Sequence, residues 1–207
     1  MRTACIFCVL CALSLGASAQ GLKLGAQAGL QVSSFDRGVG RAGWKGNAAA
    51  TYGFNRFKLS EQIGVTVDNC SSSISMLPSR NMWRYFWADA TSIAAYVPVR
   101  RESFDLSVGT GISIRRIISH TINGNPNTIS DLDNRMYEWS YFLPTRIGAD
   151  FHLAGGRQVV CAIEYQVSLR DIYKPAEVTG PYDYTAWVNK LHSVSLSVGY
   201  MISIPKK

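Results

Sequence analysis

The clearest pattern along this chain is an alternation of apolar and small polar residues. It is longest near the end, in the sequence HSVSLSVGYMISI of residues 192–204. Every second residue from Val194 to Ile204 is apolar, and most of the residues between them are serine or glycine. Because residues two apart share one face of a β-strand, this segment is predicted to be a single long strand.

The same alternation predicts seven earlier strands. They span residues 22–32, 44–54, 57–67, 84–97, 104–118, 137–153 and 159–169. Their connections alternate between short turns, at 55–56, 98–102 and 154–157, and longer loops, at 33–43, 68–82, 119–136 and 171–190. An even number of strands, with both termini on the short-turn side, is typical of bacterial outer membrane barrels. The sequence therefore predicts an all-β fold, an eight-stranded antiparallel up-and-down β-barrel.

The chemistry of the two faces distinguishes a transmembrane barrel from a soluble one. The polar face is mainly Gly, Ser, Ala, Thr and Gln, which suits the crowded interior of eight strands better than a water-exposed surface. Aromatic residues also fall into two groups, as the two membrane interfaces require. At the long-loop ends these are Trp44, Trp83, Tyr137, Trp139 and Tyr141; near the short-turn ends they are Tyr52, Phe54, Phe57, Phe104, Phe151 and Tyr200.

The N-terminus has the features of an export signal. Arg2 precedes an apolar run at residues 4–15 and the small residues Ala17-Ser18-Ala19. The run is well short of the ~20 residues that a membrane-spanning helix needs. We expect a signal peptide at 1–19, cleavage before Gln20, a barrel domain at 20–207, and location in the bacterial outer membrane.

The predicted inward faces carry charges of both signs. The cations are Lys23, Lys45, Lys58, Arg115, Arg146 and Arg170, and the anions are Asp89, Asp105, Glu138, Asp150 and Glu164. Buried charges must be paired, so this lumen is expected to be closed by ion pairs. A turn centred near Gly155 places Arg146 opposite Glu164. We therefore predict an Arg146–Glu164 ion pair, with Arg170 reaching Glu138 nearer the mouth.

Two strands break the alternation. Glu61 interrupts an outward apolar face, which requires either a bulge at Ser60-Glu61 or a carboxylate near the membrane edge. Strand 84–97 keeps Asp89 inward only if a bulge lies near Trp87. Cys70 and Cys161 are expected at opposite ends of the barrel, both as free thiols.

Candidate chemistry is sparse. A lipid-modifying hydrolase would need His, Ser and an acid in contact, but His192 and Ser193 are strand neighbours and point to opposite faces. No phosphate loop, paired CxxC or HExxH motif occurs, so we expect no cofactor, metal or catalytic residue. The formal charge is +7, without a basic cluster, and nucleic acid binding is not expected.

One exposed loop offers a candidate interaction patch. Its aromatic residues are Tyr173, Tyr182, Tyr184 and Trp187. They could bind a sugar or a protein, or they could simply pack over the barrel mouth. The sequence favours the packing role.

Two segments are similar to a known family. YFLPTRIG at residues 141–148 resembles the aromatic-x-x-Pro strand of the PorT-like group, small outer membrane β-barrel proteins of Bacteroidetes. GLKLGAQAGLQVSSF at residues 21–35 is similar to the first strand of that group. The resemblance implies an eight-stranded barrel of OmpA/OmpX-like architecture, with a part in type IX secretion or envelope assembly for some members. It implies no catalytic residues.

The sequence thus predicts a monomeric, non-enzymatic outer membrane β-barrel. Its expected role is structural, associated with envelope assembly or secretion, or based on surface interactions. The expected partners are outer membrane lipid and an envelope or secretion protein that binds the long loops. The alternatives are an outer membrane lipid-modifying hydrolase and a narrow channel.

Overall fold

The computed structural model describes residues 21–35, 38–72, 82–122, 125–127, 137–172 and 190–204. The predicted signal peptide at 1–19 and the aromatic loop patch of Tyr173, Tyr182, Tyr184 and Trp187 lie outside these ranges. Within them, no helix is long and apolar enough to cross a membrane.

The described residues form nine strands. They are β1 Leu22–Phe35, β2 Gly38–Phe54, β3 Phe57–Ser72, β4 Met82–Arg100, β5 Phe104–Ile122, β6 Asn125–Asn127, β7 Trp139–Leu153, β8 Arg157–Ser168 and β9 Leu191–Ser203. Eight of them form a ring of antiparallel neighbours that β1 and β9 close, from Lys23 opposite Ser203 to Phe35 opposite Leu191. The short strand β6 pairs with the end of β5. The predicted eight-stranded closed barrel is confirmed.

Tight turns define one end of the barrel, called the short-turn end here. Asn55 has a positive φ of 52° in the turn between β2 and β3, and Gly155 has a φ of 74° in the turn between β7 and β8. Both residue types tolerate this left-handed conformation better than most. The turn at Ala154–Gly156 sets the β7–β8 register and places Arg146 directly opposite Glu164, as predicted.

At the opposite, long-loop end the strands are longer than the sequence pattern predicted. The expected loop at 33–43 is largely strand, because β1 continues to Phe35 and β2 begins at Gly38. β4 and β5 each contain 19 residues. Backbone pairing can continue beyond the apolar layer, where the outward face no longer needs apolar side chains. The alternation therefore ends before the strands do.

The barrel is apolar outside and polar inside. Leu30 is 73% exposed, Ile63 69% and Leu196 60%, all on the outward face. The inward Gln31 and Ser195 are almost completely buried. A soluble barrel would have the reverse arrangement, so this surface is that of a barrel surrounded by lipid.

Both predicted irregularities are resolved. The β4–β5 register shifts between Phe86 and Trp87, and the extra residue is Ile118 on β5. The bulge thus lies opposite Trp87 rather than in β4. At Glu61 the pairing of β3 is continuous on both sides, and the carboxylate faces outward, where Ser92 Oγ donates to its Oε1 at 2.8 Å. The outward carboxylate, not a bulge, is therefore the correct alternative.

The aromatic groups at the two ends are mostly placed as predicted. Phe57 packs against Tyr96, and Phe104 against Phe151, at the short-turn end. Trp83 is an exception, because it turns inward and its ring centroid lies 5.5 Å from that of Phe35. Since β4 alternates strictly from Trp83 to Asp89, keeping the carboxylate inside also brings the indole inside.

The outward face of β9 gives a direct test of this membrane assignment. Val198 is 54% exposed near the middle of the strand. We expect Val198→Arg to lower the free energy of unfolding in lipid vesicles by about 2–4 kcal/mol, because it puts a charge in hydrocarbon. Val198→Leu is the matched control and should change it by less than about 0.5 kcal/mol. Urea unfolding in vesicles measures both; equal stabilities would show that Val198 does not face lipid.

Candidate functional site

The centre of the lumen is filled by a polar network that links strands across the barrel. Lys45 Nζ lies 2.7 Å from Glu164 Oε1, although β2 and β8 are not neighbours, and both side chains are at most 5% exposed. Gln166 Nε2 donates to the same carboxylate oxygen at 2.6 Å. Arg115 Nη1 lies 3.1 Å from Asp68 Oδ2, also buried. Each of these ion pairs joins strands that are not neighbours in the wall.

Asp68 collects more donors than the other acids of this network. Gln31 Nε2 and Ser33 Oγ both donate to its Oδ1, while Arg115 binds its other oxygen. Arg115 also donates to Gln166, which connects the two ion pairs into one network. Asp68 was not among the predicted inward charges, because the sequence pattern places residues 68–82 in a loop. Recognising that β3 continues to Ser72 would have placed this carboxylate inside.

The predicted register, with Arg146 opposite Glu164, is confirmed, but the predicted ion pair between these two residues is wrong. The two residues are opposite each other and both point inward, yet Glu164 is bound by Lys45. Arg146 Nη2 instead donates to Gln27 Oε1 at 3.1 Å. In so narrow a barrel, a side chain from a distant strand is as close as one from the adjacent strand, so register alone does not select the partner.

The predicted Arg170–Glu138 pair is wrong. Both residues lie beyond the ends of their strands, since β8 ends at Ser168 and β7 begins at Trp139, and both are exposed. Glu138 Oε1 pairs with Arg116 Nη2 at 2.6 Å, outside the lumen. Arg170 donates from Nη2 to the backbone oxygen of Trp139. Alternation assigns faces only while the strand continues, which explains the error.

Above the polar network, toward the long-loop end, the lumen is closed by an upper apolar cluster. Its buried members are Phe35, Cys70, Tyr85, Trp87, Ile117, Phe142, Ile172 and Leu191. The guanidinium carbon of Arg115 lies 4.3 Å from the ring centroid of Phe142, where the polar network meets the cluster. Tyr85, Trp87 and Phe142 are completely buried. Arg115 and Ile117 both face inward by alternation, and the bulge at Ile118 then changes the parity of β5, so that His120 rather than Ser119 faces inward above the cluster.

At the short-turn end the lumen opens into a lower cavity of about 300 Å³. Lys58 Nζ and Asp150 Oδ2 pair at 2.6 Å in its wall. Lys23 also lines it, together with residues of the turns. A small apolar cluster of Ala49, Val160 and Met201 lies along the strands between this cavity and the central network. The cavity is therefore a recess at one end of the barrel.

The histidines of the wall take part in local contacts. Tyr165 Oη and His192 Nδ1 are 2.7 Å apart on the outer surface, and the two rings are stacked. His152 lies between Gln158, at 2.7 Å from its Nδ1, and Asp105, at 3.4 Å from its Nε2. Within the described ranges, no three His, Cys, Asp or Glu residues are arranged to hold a metal ion. Cys70 and Cys161 are free, as predicted.

The cross-lumen pair gives a quantitative prediction. Glu164→Gln should destabilise the barrel by about 3–5 kcal/mol, because Lys45 keeps a buried charge without its partner. Lys45→Met combined with Glu164→Gln should cost less than the sum of the single changes. The same double-mutant cycle on Arg146 and Glu164 is the control and should give a smaller coupling energy, as measured by urea unfolding in vesicles. A larger coupling for Arg146 would mean that the partner assignment is wrong.

Comparisons with known proteins agree with this architecture. Neisserial surface protein A has a similar crystal structure, with a TM-score of 0.58 and 15% sequence identity, and the match covers 90% of this chain and 99% of that one. For Ail of Yersinia pestis the TM-score is 0.49 and the sequence identity 12%, and the match covers 88% of this chain and 99% of Ail. For OprG of Pseudomonas aeruginosa the TM-score is 0.48 and the sequence identity 14%, and the match covers 89% of this chain and 93% of OprG. No family model and no curated protein matches this chain. The similarity to Neisserial surface protein A, at 15% identity, concerns the fold alone. Together with the strand pairings, it shows that this chain is a closed, eight-stranded, antiparallel transmembrane β-barrel.

Proposed function

We propose that this protein is a non-enzymatic, monomeric barrel of the bacterial outer membrane that acts through its long-loop end. In this proposal the lumen is a structural filling, and the wall above the membrane presents a rigid surface to a partner of the cell envelope. A role in envelope assembly or secretion, as the PorT-like resemblance implies, falls within this proposal. The observation that carries it is the upper apolar cluster, which closes and stiffens the end that bears the long loops.

The dimensions of the barrel support its membrane placement. The outward Trp139 and Phe151 lie near opposite ends of β7 and are both exposed. A strand of this length, tilted as in small barrels, rises about 30 Å between them, close to the thickness of a bilayer core. The long-loop end then faces the cell exterior, because the short turns of such barrels are periplasmic.

The wall continues above the outer aromatic residues. β5 runs on from Ile117 to Ile122 and pairs there with β4 and with β6. The upper apolar cluster fills this extension from inside, with Tyr85 and Leu191 completely buried. An extension that has its own packed core is a more rigid support for loops than isolated hairpins would be. This favours a binding role for the exposed end.

Photo-crosslinking from the two ends of the barrel tests the proposed interaction. Ser119 is exposed in the extension, and Glu102 is exposed in a short turn. With a benzophenone amino acid at either position in living cells, we expect a reproducible adduct with one envelope protein from position 119 and not from position 102. Mass spectrometry of the adduct identifies the partner.

Cysteine labelling provides the control for location. A membrane-impermeant maleimide should label Ser119→Cys in intact cells, and Glu102→Cys only after the outer membrane is permeabilised. Adducts from position 102 alone would contradict an interaction at the long-loop end. Labelling of both cysteines in intact cells would contradict the orientation.

Conductance distinguishes the proposed role from the alternative of a narrow channel, because a channel would pass ions across a planar bilayer. The Lys45–Glu164 pair crosses the lumen, and the upper apolar cluster covers it, so no continuous water path is expected. Purified protein in planar bilayers should show no steady conductance above that of lipid alone, with a porin of known conductance as the positive control. Stepwise, ion-selective increases in conductance at neutral pH would show instead that the protein is a narrow channel.

A further inference from the structure

A compact group of arginine and aromatic side chains lies on the outside of the barrel at the long-loop end. We call it the outer arginine cluster; it consists of Arg116, Tyr137, Glu138, Trp139, Tyr141 and Arg170. It is built by β5, β7 and the residues that follow β8. Trp139 stands opposite Arg116 in the β5–β7 pairing, so both project from the same face.

Arg170 is held flat against two rings. Its guanidinium carbon is 3.9 Å from the ring centroid of Tyr137 and 5.4 Å from that of Tyr141. Its Nη2 donates to the backbone oxygen of Trp139. Stacking uses the face of the guanidinium, and apart from the N–H that Nη2 donates to Trp139, the donors on its edge are available for a planar two-point contact. Arg170 is therefore fixed in position while its side chain is still exposed.

The charges of the cluster do not cancel. Glu138 is engaged by Arg116, whose Nη2 and Nε lie 2.6 and 2.8 Å from the same carboxylate oxygen. Arg116 also lies over the Trp139 ring, at 5.6 Å. Among the described residues of the cluster, the positive charge of Arg170 has no carboxylate partner. The cluster is thus a preformed site for one anionic group.

The surroundings of the cluster indicate where that anion is attached. Immediately toward the membrane centre, Tyr141 stands opposite Ile114, and Leu143 opposite Val167. Leu143 is 42% exposed on this outward surface. The cationic and aromatic side chains therefore lie directly above an apolar surface, at the height of the outer interface. A ligand with an anionic headgroup and acyl chains matches both parts: the headgroup fits the cationic and aromatic side chains, and the acyl chains fit the apolar surface.

We propose that the outer arginine cluster binds the phosphorylated sugar headgroup of an outer-leaflet glycolipid, the lipid A component of the outer membrane. Arg170 binds the phosphate through its edge, the exposed Trp139 packs on the sugar, and the acyl chains lie along Tyr141 and Leu143. This inference rests on the proposed outer membrane location and orientation. A phosphate matches the guanidinium edge in a two-point contact, and aromatic side chains suit an amphipathic headgroup at the interface.

Native mass spectrometry of the folded protein in detergent tests this proposal. The probes are bisphosphorylated lipid A, its monophosphoryl form and phosphatidylglycerol. We expect Arg170→Gln to weaken lipid A binding about tenfold, since it removes a charge-assisted contact. Arg170→Lys should restore part of the affinity, because it keeps the charge without the planar edge. Arg157→Gln, a change of an exposed arginine at the short-turn end, is the matched control and should leave binding unchanged.

The outcomes separate this site from the proposed function. Equal lipid A binding by wild type and Arg170→Gln would overturn the site, as would equal affinity for phosphatidylglycerol or an equal loss in Arg157→Gln. A dimer that Arg170→Gln abolishes would assign the cluster to self-association instead. Folding of each variant is checked by the difference in gel mobility before and after boiling. If the maleimide labels both Ser119→Cys and Glu102→Cys in intact cells, the proposed orientation in the outer membrane is wrong, whatever the result of the lipid A binding experiment.

Discussion

Closure of the backbone hydrogen-bond ladder, completed where β1 pairs with β9, is the constraint on which the other features depend. In hydrocarbon each backbone N–H and C=O must find a partner within the protein, so a sheet that crosses lipid has to become a ring. The β1–β9 pairing runs from Lys23 to Phe35 without a register shift. With eight strands the ring is narrow, and its interior is only as wide as the side chains that fill it.

That narrowness determines the chemistry of the lumen. Side chains from strands that are not neighbours come into direct contact, as Lys45 of β2 does with Glu164 of β8 and Lys58 of β3 does with Asp150 of β7. Such cross-barrel pairs compensate buried charge and also tie the wall together. The upper apolar cluster then seals the end above them. The lumen is therefore filled at its centre and closed at its long-loop end.

The outer surface of the barrel changes in character along the membrane normal. The central band is apolar, aromatic side chains lie at its edges, and the wall continues beyond it toward the loops. Arg170 and Glu138 belong to this outer surface because each lies just past the end of a strand. The same arrangement that removes them from the lumen brings Arg170 onto the rings of Tyr137 and Tyr141. It thereby creates a cationic group at the height of lipid headgroups.

The sequence by itself determined the number of barrel strands, the inward and outward faces within the lipid band, the short turns and the opposition of Arg146 and Glu164. These follow from local rules, since alternation has a period of two and a tight turn fixes register. Only the tertiary structure decided that Lys45 binds Glu164, that Asp68 lies inside and that Trp83 joins the upper apolar cluster. Curvature brings distant strands together, and backbone pairing continues beyond the lipid, where alternation of apolar side chains is no longer required.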